Sequence, residues 1–332
     1  MVRLTMILRN LILLVILMNL VSGCLNNEWQ EKEQHEKDLI QAYLSDHGIT
    51  EEQKTEGGIY FVEERAGTGI TPVKDDYVVI NYVGRYIEDN EIHETSYDSL
   101  SEDWAALDYY TYYVFGPLKF KYGYSIAGIN EGLSLMKEGG KATLVVPSDK
   151  AYYDFNPLVY EIELIKVIKD PIDYEKSVWK EYMAVKGYDT ITTAYKDIYY
   201  KETFTPDPND QNTAATGDTI IFWFTGRLVD GFGPEVTDER VFDANKDVDE
   251  DPIRYKIGES KAISGQILGF PDGLRTAMDT LRTGTHATYV LPYSTAFGED
   301  GLFSTNYGYT IVPEYQTVVY EIVVEDIRPG SK

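Results

Sequence analysis

The sequence predicts an α+β protein made of two tandem copies of one module. Three observations support this prediction: an internal repeat, a helix-patterned stretch at the start of each copy, and several short strands around one short helix in the rest of each copy. The chain has 332 residues. About 300 residues would remain after removal of a predicted signal peptide, which suits two domains of ordinary size.

The N-terminal segment is predicted to be a cleaved signal peptide followed by a lipid anchor. Arg3 and Arg9 precede the apolar run 11–18, and small residues stand directly before Cys24. The run is shorter than the roughly 20 apolar residues that a membrane-spanning helix needs. The segment resembles the bacterial lipobox, in which the cysteine becomes the fatty-acylated first residue. The alternative is an ordinary signal peptide with an incidental cysteine.

Composition and charge exclude several classes of function. Cys24 is the only cysteine, so a mature chain would contain no disulfide. The formal charge of −25 argues against nucleic acid as a partner, because phosphate binding depends on clustered Lys and Arg. The four histidines lack metal-ligand spacing, and we expect no zinc and no other metal.

One acidic loop resembles a calcium-binding loop in the spacing of its acids, from Asp243 to Asp251. The EF-hand pattern also requires glycine at its sixth position and glutamate at its twelfth. Val248 and Arg254 occupy those positions. We therefore expect a solvated acidic loop, with cation binding as the open alternative.

The internal repeat relates the two halves of the chain. Matches follow an offset of 139 residues at first and 142 further on, so a few residues are inserted in the second copy. The matching positions are Glu36 with Glu175, Tyr43 with Tyr182, Gly48 with Gly187, Ile59 with Ile198, and 82–85 with 224–227.

Each copy opens with apolar residues at helical spacing, over Glu31 to Leu44 and over Tyr174 to Val185. Ile40 and Leu44 belong to one such stripe, which is predicted to be a packing face rather than a binding site. The remaining predicted elements are strands at 78–82 and 219–224, short helices at 130–136 and 272–281, and closing strand pairs at 141–146 with 159–167 and at 286–291 with 317–327.

The order of motifs in the second copy resembles the FKBP-type peptidyl-prolyl isomerase family. The family pattern runs Y-x-G-x-L, F-D-S, V-I-x-G-W, I-P, A-Y-G and I-P, before a last strand containing F-x-V-x-L. Each motif is weak by itself, but the resemblance rests on seven in the right order. The second copy contains them at 224–228, 241–243, 267–274, 291–292, 296–298, 311–313 and 320–322.

The resemblance implies that each module is a curled antiparallel sheet wrapped on a short helix, with a linker helix in front. The arrangement of two copies behind linker helices resembles that of lipoproteins from Bacteroidetes-like bacteria. The predicted domains are a signal peptide at 1–23, a lipidated N-terminus and linker helix at 24–56, a first module at 57–170, a linker helix at 171–195, and a second module at 196–332.

Isomerisation of an X-Pro bond requires only a lower barrier. Resonance opposes rotation by roughly 18 to 20 kcal/mol, while the two isomers differ little in energy. A dry aromatic pocket stabilises the twisted amide, which has lost charge separation, and a hydrogen bond or two fix its carbonyl. The family therefore implies no nucleophile, metal or cofactor.

The resemblance assigns a proline pocket to the second module, with Phe270 as its floor and Asp243 as its one acid. The alternative for each residue is an ordinary place in the core. The implied catalytic residues are Phe242, Asp243, Phe270, Phe297 and Tyr320, and the implied binding residues are Phe224, Ile253, Tyr255, Ile267, Ile311 and Val312.

Two departures from the family pattern bear on activity. Phe297 and Phe224 stand where the family has tyrosines, so two hydroxyl groups are missing. A lost hydrogen bond usually weakens binding by about 0.5 to 1.5 kcal/mol. We therefore expect weak catalysis or binding without catalysis.

The first module departs further from the pattern. His93 and Glu94 replace the family's F-D, and the loop after A-Y-G is shortened to 153–159. We expect this copy to be a degenerate spacer or interaction module rather than an active one. Its corresponding residues are Tyr82, His93, Glu94, Ile126, Ile129, Tyr152 and Tyr160.

The resemblance implies an envelope-tethered isomerase or a chaperone that binds prolyl peptides of extracytoplasmic client proteins. The alternatives are a non-catalytic scaffold of an envelope assembly and a weaker one, glycan binding through aromatic loops. Leu25 after Cys24 resembles the sorting signal for the outer membrane of a Gram-negative bacterium. Tyr307 and Tyr309 are further candidates for peptide contact.

Overall fold

The computed structural model describes residues 27–100, 115–188, 197–204, 213–229, 239–245, 251–259, 270–278, 281–304 and 309–330. Among these residues, no helix combines the length and the apolar character needed to cross a membrane. Cys24 lies outside the described residues, so its lipidation stays a prediction. The chain divides into two compact units: a first unit of Met1–Thr71, Tyr82–Glu94 and Gly123–Leu164, and a second unit of Pro72–Asn81, Thr95–Tyr122 and Ile165–Lys332.

The first helix, α1, covers residues 27–47 and contains the predicted helical stretch. Ile40 and Leu44 are buried in a cluster with Tyr60, Val145 and Val159. The apolar stripe is therefore a packing face, as predicted. Because these side chains leave water together, the helix is held against the sheet by hydrophobic contact.

Six strands form the first antiparallel sheet: β1 (Tyr60–Arg65), β2 (Tyr77–Tyr86), β3 (Ile92–Thr95), β4 (Leu118–Lys121), β5 (Gly140–Val146) and β6 (Leu158–Ile168). Their order is β1, β5, β6, β2, β3, with β4 also paired to β2. The predicted pairing of the two closing strands is confirmed, since β5 and β6 are antiparallel neighbours.

The short helix of the first sheet, α2 (Ala127–Leu135), begins ahead of the predicted start at Asn130. Gly128 and Gly132 face the sheet, where an added Cβ would come within 2.4 Å of Val146 and 2.3 Å of Leu144. The two glycines therefore allow the helix to pack closely on β5.

The second helix of the repeat, α3 (Pro171–Val185), has a strong N-terminal signal. Asp170 caps it by accepting hydrogen bonds from the backbone N–H groups of Ile172 and Asp173, and proline occupies the first turn. Gly187 follows its end with a φ of 68°, as Gly48 follows α1 with a φ of 65°. Glycine adopts this left-handed conformation without steric cost, which explains why the repeat keeps it after both helices.

Six strands form the second antiparallel sheet: β7 (Tyr199–Phe204), β8 (Thr219–Val229), β9 (Glu239–Ala244), β10 (Ile253–Lys256), β11 (His286–Leu291) and β14 (Val318–Arg328). Their order is β10, β8, β14, β11, β7, with β9 also paired to β8. The short helix α4 (Asp272–Ala277) packs on β11, and β12 (Leu302–Ser304) pairs with β13 (Tyr309–Val312) as a separate ribbon. The predicted α+β class is confirmed.

Helix α3 packs on the second sheet as α1 packs on the first. Val178, Tyr182 and Met183 share a buried cluster with residues of β8, β11 and β14. Tyr182 matches Tyr43 in the repeat, and Tyr43 packs against the cluster below α1. The predicted linker helices are therefore docked parts of the two units.

A buried glutamate on each helix fixes it to loop backbone. Glu36 is 8% exposed and accepts hydrogen bonds from the backbone N and the Oγ of Ser148, at 2.6 and 2.9 Å. Glu175 is 2% exposed and accepts one from the backbone N of Thr317 at 2.5 Å. These two glutamates are matching positions of the repeat, so their role explains why the repeat keeps them.

Replacing Glu36 by alanine is expected to lower the free energy of unfolding of the first unit by about 2 to 3 kcal/mol, because the buried N–H of Ser148 loses a charged acceptor. Urea unfolding of the full chain measures this change. Glu33→Ala is the matched control, since Glu33 lies on the same helix but is 56% exposed and forms an exposed ion pair with Lys37. Equal losses in both variants would contradict the anchoring role.

Candidate functional site

Three strands and the start of α4 bring four aromatic rings of the second unit together. Phe224 of β8 contacts Phe270 edge-on with their ring centroids 5.3 Å apart. Tyr320 of β14 lies 5.7 Å from Phe242 of β9 and 6.4 Å from Phe270, again edge-on. Such perpendicular contacts are the favoured geometry of aromatic pairs. Residues that are far apart in sequence therefore meet in one aromatic cluster, which contains the predicted floor Phe270.

The glycine of the first motif makes this convergence possible. Gly226 pairs with both Tyr320 and Asp243 in the strand register. A Cβ at Gly226 would lie 2.9 Å from the Phe242 ring and 3.1 Å from the Tyr320 ring. Only a residue without a side chain lets both rings lie over β8 at this point.

Most of the other predicted wall residues belong to the same buried cluster or pack against it. Phe297 is half-buried and packs edge-on against Phe242, with ring centroids 6.0 Å apart. Tyr255 is buried, and its hydroxyl donates to the backbone oxygen of Glu259 at 2.7 Å. Ile267 and Tyr307 lie outside the described residues. The remaining predicted residues that belong to the cluster are Ile253, Ile311 and Val312, and Tyr309 packs against it.

The acid of the site is buried beside these rings. Asp243 is 9% exposed, and burial raises the pKa of its carboxyl to about 7, opposed by a hydrogen bond from the backbone N–H of Ala244. Burial and the nearby Asp243 also hold the pKa of Tyr320 well above its ordinary value. Near neutral pH the Asp243 carboxyl is therefore present in both its protonated and its charged form.

Sequence reasoning missed the role of Asn245. Its Oδ1 accepts a hydrogen bond from the backbone N of Phe224 at 2.7 Å, and the side chain is buried. The acidic loop was expected to be solvated, but its start at Asp243 and Asn245 is buried because β9 pairs with β8. Asp247 and Asp249 lie outside the described residues. Among the residues that are described, no group of three or more His, Cys, Asp or Glu side chains has the geometry to hold a metal.

The first unit keeps the same backbone arrangement with different side chains. The ring of Tyr160 on β6 lies over Gly84 of β2, where an added Cβ would come within 2.5 Å of it. The hydroxyl of Tyr160 donates to Oε1 of Glu94 at 2.7 Å, and the hydroxyl of Tyr82 lies 3.4 Å from Oε2 of the same carboxylate. Here the acid of the site is paired with tyrosine hydroxyls.

His93 stands where the resemblance calls for an aromatic wall. Its Nδ1 lies 2.8 Å from the hydroxyl of Tyr86, and its ring contacts Tyr152 edge-on at 5.1 Å. Tyr152 is 47% exposed as a residue, while burial of its hydroxyl, followed by the charge of Glu94, raises its pKa to about 12. Ile129 is buried and Ile126 half-buried at the start of α2. The predicted residues do meet, and they form a polar rather than an apolar site.

Asp243→Asn is expected to stabilise the second unit increasingly as pH rises from about 4 to 7. A carboxyl with a higher pKa in the folded chain than in the unfolded chain binds more protons when folded, so wild-type stability falls over this range. The difference should grow by about 1.4 kcal/mol for each pH unit. Urea unfolding at pH 4, 5.5 and 8 measures it, with the exposed Asp300→Asn as control. A constant difference between Asp243→Asn and wild type would contradict the buried carboxyl.

Comparison with known proteins agrees with the motif order. The sequence model of the family described as FKBP-type peptidyl-prolyl cis-trans isomerase matches residues 69–165 and 210–325. Each match falls inside one of the two predicted modules, 57–170 and 196–332. Together the two matches cover more than half of the chain.

Individual relatives share part of this length. The probable FKBP-type peptidyl-prolyl cis-trans isomerase FkpA of Neisseria meningitidis serogroup B is 30% identical over 141 residues, which are 40% of this chain and 46% of that protein. FkpA of Escherichia coli K12 is 31% identical over 154 residues, 44% of this chain and 48% of that protein. The chain thus matches about half the length of these curated relatives.

Two solved structures are also similar. The crystal structure of FkpA from Escherichia coli has a TM-score of 0.32 at 26% identity, covering 42% of this chain and 63% of that one. The structure of the three FKBP domains of wheat FKBP73 has a TM-score of 0.32 at 18% identity, covering 82% and 96%. Because the family model matches more than half of the sequence, the chain belongs to the FKBP-type peptidyl-prolyl cis-trans isomerase family.

Proposed function

We propose that this chain is an envelope-tethered peptidyl-prolyl isomerase, or a chaperone that binds prolyl peptides, and that it acts through its second unit. The observation that carries the proposal is that Phe242 and Phe270 both contact Tyr320, whose ring lies over Gly226 beside that of Phe242. Its substrates would be proline-containing segments of extracytoplasmic client proteins. The competing function is a non-catalytic scaffold built on the same fold.

The chemistry of the second unit suits the twisted amide better than the planar one. Phe224, Phe242 and Phe270 are each 3% exposed, so the cluster is a low-dielectric environment. An amide that has lost resonance has also lost charge separation, and it is destabilised less by leaving water than a planar amide. Apolar rings that exclude water therefore lower the barrier without a reacting side chain.

The half-buried ring of Phe297 marks the side from which a ligand would enter. Phe297 is partly exposed, and it contacts the buried Phe242 edge-on. A proline ring that packs in its place would reach Phe242 without unfolding a strand. Side-chain rearrangements of this size are common when proteins bind ligands.

The first unit contributes differently to the proposed function. Its acid, Glu94, is held by hydroxyl groups, and His93 adds a titratable ring where an apolar wall is needed. A polar environment of this kind stabilises the twisted amide less, relative to the planar amide, than an apolar one does. We therefore assign the first unit a spacing or interaction role.

Isomerase activity is expected to depend on β9 of the second unit. In a protease-coupled assay on a proline tetrapeptide, the double variant Phe242→Ala and Asp243→Ala should fall to the uncatalysed rate, while wild type exceeds it. Val241→Ala is the matched control, because Val241 lies on the same strand but is 48% exposed. Circular dichroism checks that the double variant is folded. Wild-type and variant rates that both equal the uncatalysed rate would rule out the isomerase and leave prolyl-peptide binding or the scaffold function.

Tethering is expected to depend on Cys24. When the full chain is expressed in a Gram-negative host and labelled with palmitate, wild type should carry label and sediment with the outer membrane, whereas Cys24→Ser should be unlabelled. Alkali extraction separates the anchored chain from loosely attached protein. Label retained in Cys24→Ser, or an unlabelled wild type, would show that the cysteine is not the lipid site.

A further inference from the structure

The hydroxyl of Tyr320 is buried without a hydrogen bond. Tyr320 is fully buried, and within the described part of the chain its Oη has no hydrogen-bond partner. Most buried tyrosine hydroxyls find a partner, because an unpaired polar group in the interior is costly. Tyr289, the cross-strand neighbour of Tyr320, shows the usual case, since its hydroxyl lies 3.3 Å from the backbone oxygen of Ala277.

Among the described residues, the side chains found next to the Tyr320 ring are apolar, with one exception. The Tyr320 ring is surrounded by Phe224, Phe242 and Phe270. The exception is Asp243, which follows Phe242 on β9 and is close enough for its charge to act on Tyr320. A donor and an acidic group thus lie side by side inside the aromatic cluster without being bonded to each other.

The first unit shows the same pair in a bonded state. Tyr160 occupies the position of Tyr320, because each ring lies over the glycine of the first family-like motif of its unit. These glycines are Gly84 on β2 and Gly226 on β8. Glu94 occupies the position of Asp243, and it is hydrogen-bonded to Tyr160 at 2.7 Å. Glutamate is longer than aspartate by one methylene group. The first unit therefore has the longer acid and the hydrogen bond, whereas the second unit has the shorter acid and an unpaired hydroxyl.

The unpaired hydroxyl also stands out among the aromatic residues of the second site. Phe224, Phe242, Phe270 and Phe297 have no hydroxyl group, and that of Tyr255 is engaged with Glu259. A peptide carbonyl that enters this cluster gives up its hydrogen bonds to water. Tyr320 is the donor in the set that can replace one of them.

We infer that Tyr320 is a specificity-determining residue of the second unit, whose hydroxyl donates a hydrogen bond to a backbone carbonyl oxygen of the bound prolyl peptide. The inference rests on the proposed function and assigns a polar contact within it. Asp243 keeps this donor available by being too short to accept from it. In the first unit, Glu94 occupies the equivalent hydroxyl and removes that contact.

The test measures peptide affinity and melting temperature together on the full chain. Binding of a succinylated Ala-Leu-Pro-Phe peptide is followed by calorimetry for wild type, Tyr320→Phe, Asp243→Glu and the control Tyr289→Phe. Tyr320→Phe should weaken binding by about two- to tenfold without lowering the melting temperature, because no protein hydrogen bond is lost. Asp243→Glu should weaken binding similarly, since the longer acid reaches the hydroxyl.

The control separates a ligand contact from a structural one. Tyr289→Phe removes a paired hydroxyl from the same sheet, so it should lower the melting temperature and leave peptide affinity unchanged. Wild-type affinity in both Tyr320→Phe and Asp243→Glu would overturn the inference while leaving the proposed function intact. So would a melting temperature that falls in Tyr320→Phe as far as in Tyr289→Phe. A wild type that binds no prolyl peptide would overturn the proposed function and the inference with it.

Discussion

Both units depend on a tyrosine ring that lies directly on the backbone of a neighbouring strand. Tyr160 covers Gly84 in the first unit, and Tyr320 covers Gly226 in the second. The contact is possible only because the strand carries no side chain at that residue. It brings the last strand of each sheet, β6 or β14, against the strand that carries the glycine, β2 or β8. The acid of each site is placed beside the tyrosine by the same geometry. A larger residue at either glycine would therefore displace the core and the site together.

The same frame supports two different kinds of interior. In the second unit the rings around the tyrosine are phenylalanines, and the buried acid is poorly solvated, with a pKa near 7. In the first unit, tyrosines and a histidine make the corresponding space polar, and its acid is hydrogen-bonded. The family match therefore accounts for the backbone arrangement that both units share. The side chains make the interior of the second unit apolar and that of the first unit polar.

The sequence was sufficient for much of the fold, because local patterns are tied to local structure. The helical stripe with Ile40 and Leu44 predicts α1 and its packing face, and two strand-patterned runs predict the closing pair at 141–146 and 159–167. The order of the family-like motifs also predicts that Phe242, Phe270 and Tyr320 are neighbours, as they are in the structure. These features depend on spacing that a single sequence displays.

Other features depend on distances between side chains that sequence patterns do not contain. The burial of Asn245 follows from the pairing of β9 with β8, and its bond to the backbone of Phe224 could not be seen in a loop that reads as acidic and exposed. The missing hydrogen bond of the Tyr320 hydroxyl likewise depends on interatomic distances, which no motif contains. The sequence shows that the two copies carry different acids, Glu94 and Asp243, but not which of them is hydrogen-bonded to the neighbouring tyrosine.

The glutamates that anchor the two helices also have a kinetic consequence. Glu36 bonds to Ser148, 112 residues later in the chain, and Glu175 bonds to Thr317, 142 residues later. Contacts between such distant residues close large loops, so both distant segments must be present before the contact can form. A nascent chain that emerges N-terminus first would present each helix long before its acceptor site exists. The docked helices are therefore a marker of completed folding, and an interrupted chain would leave their apolar faces exposed to proteases and chaperones.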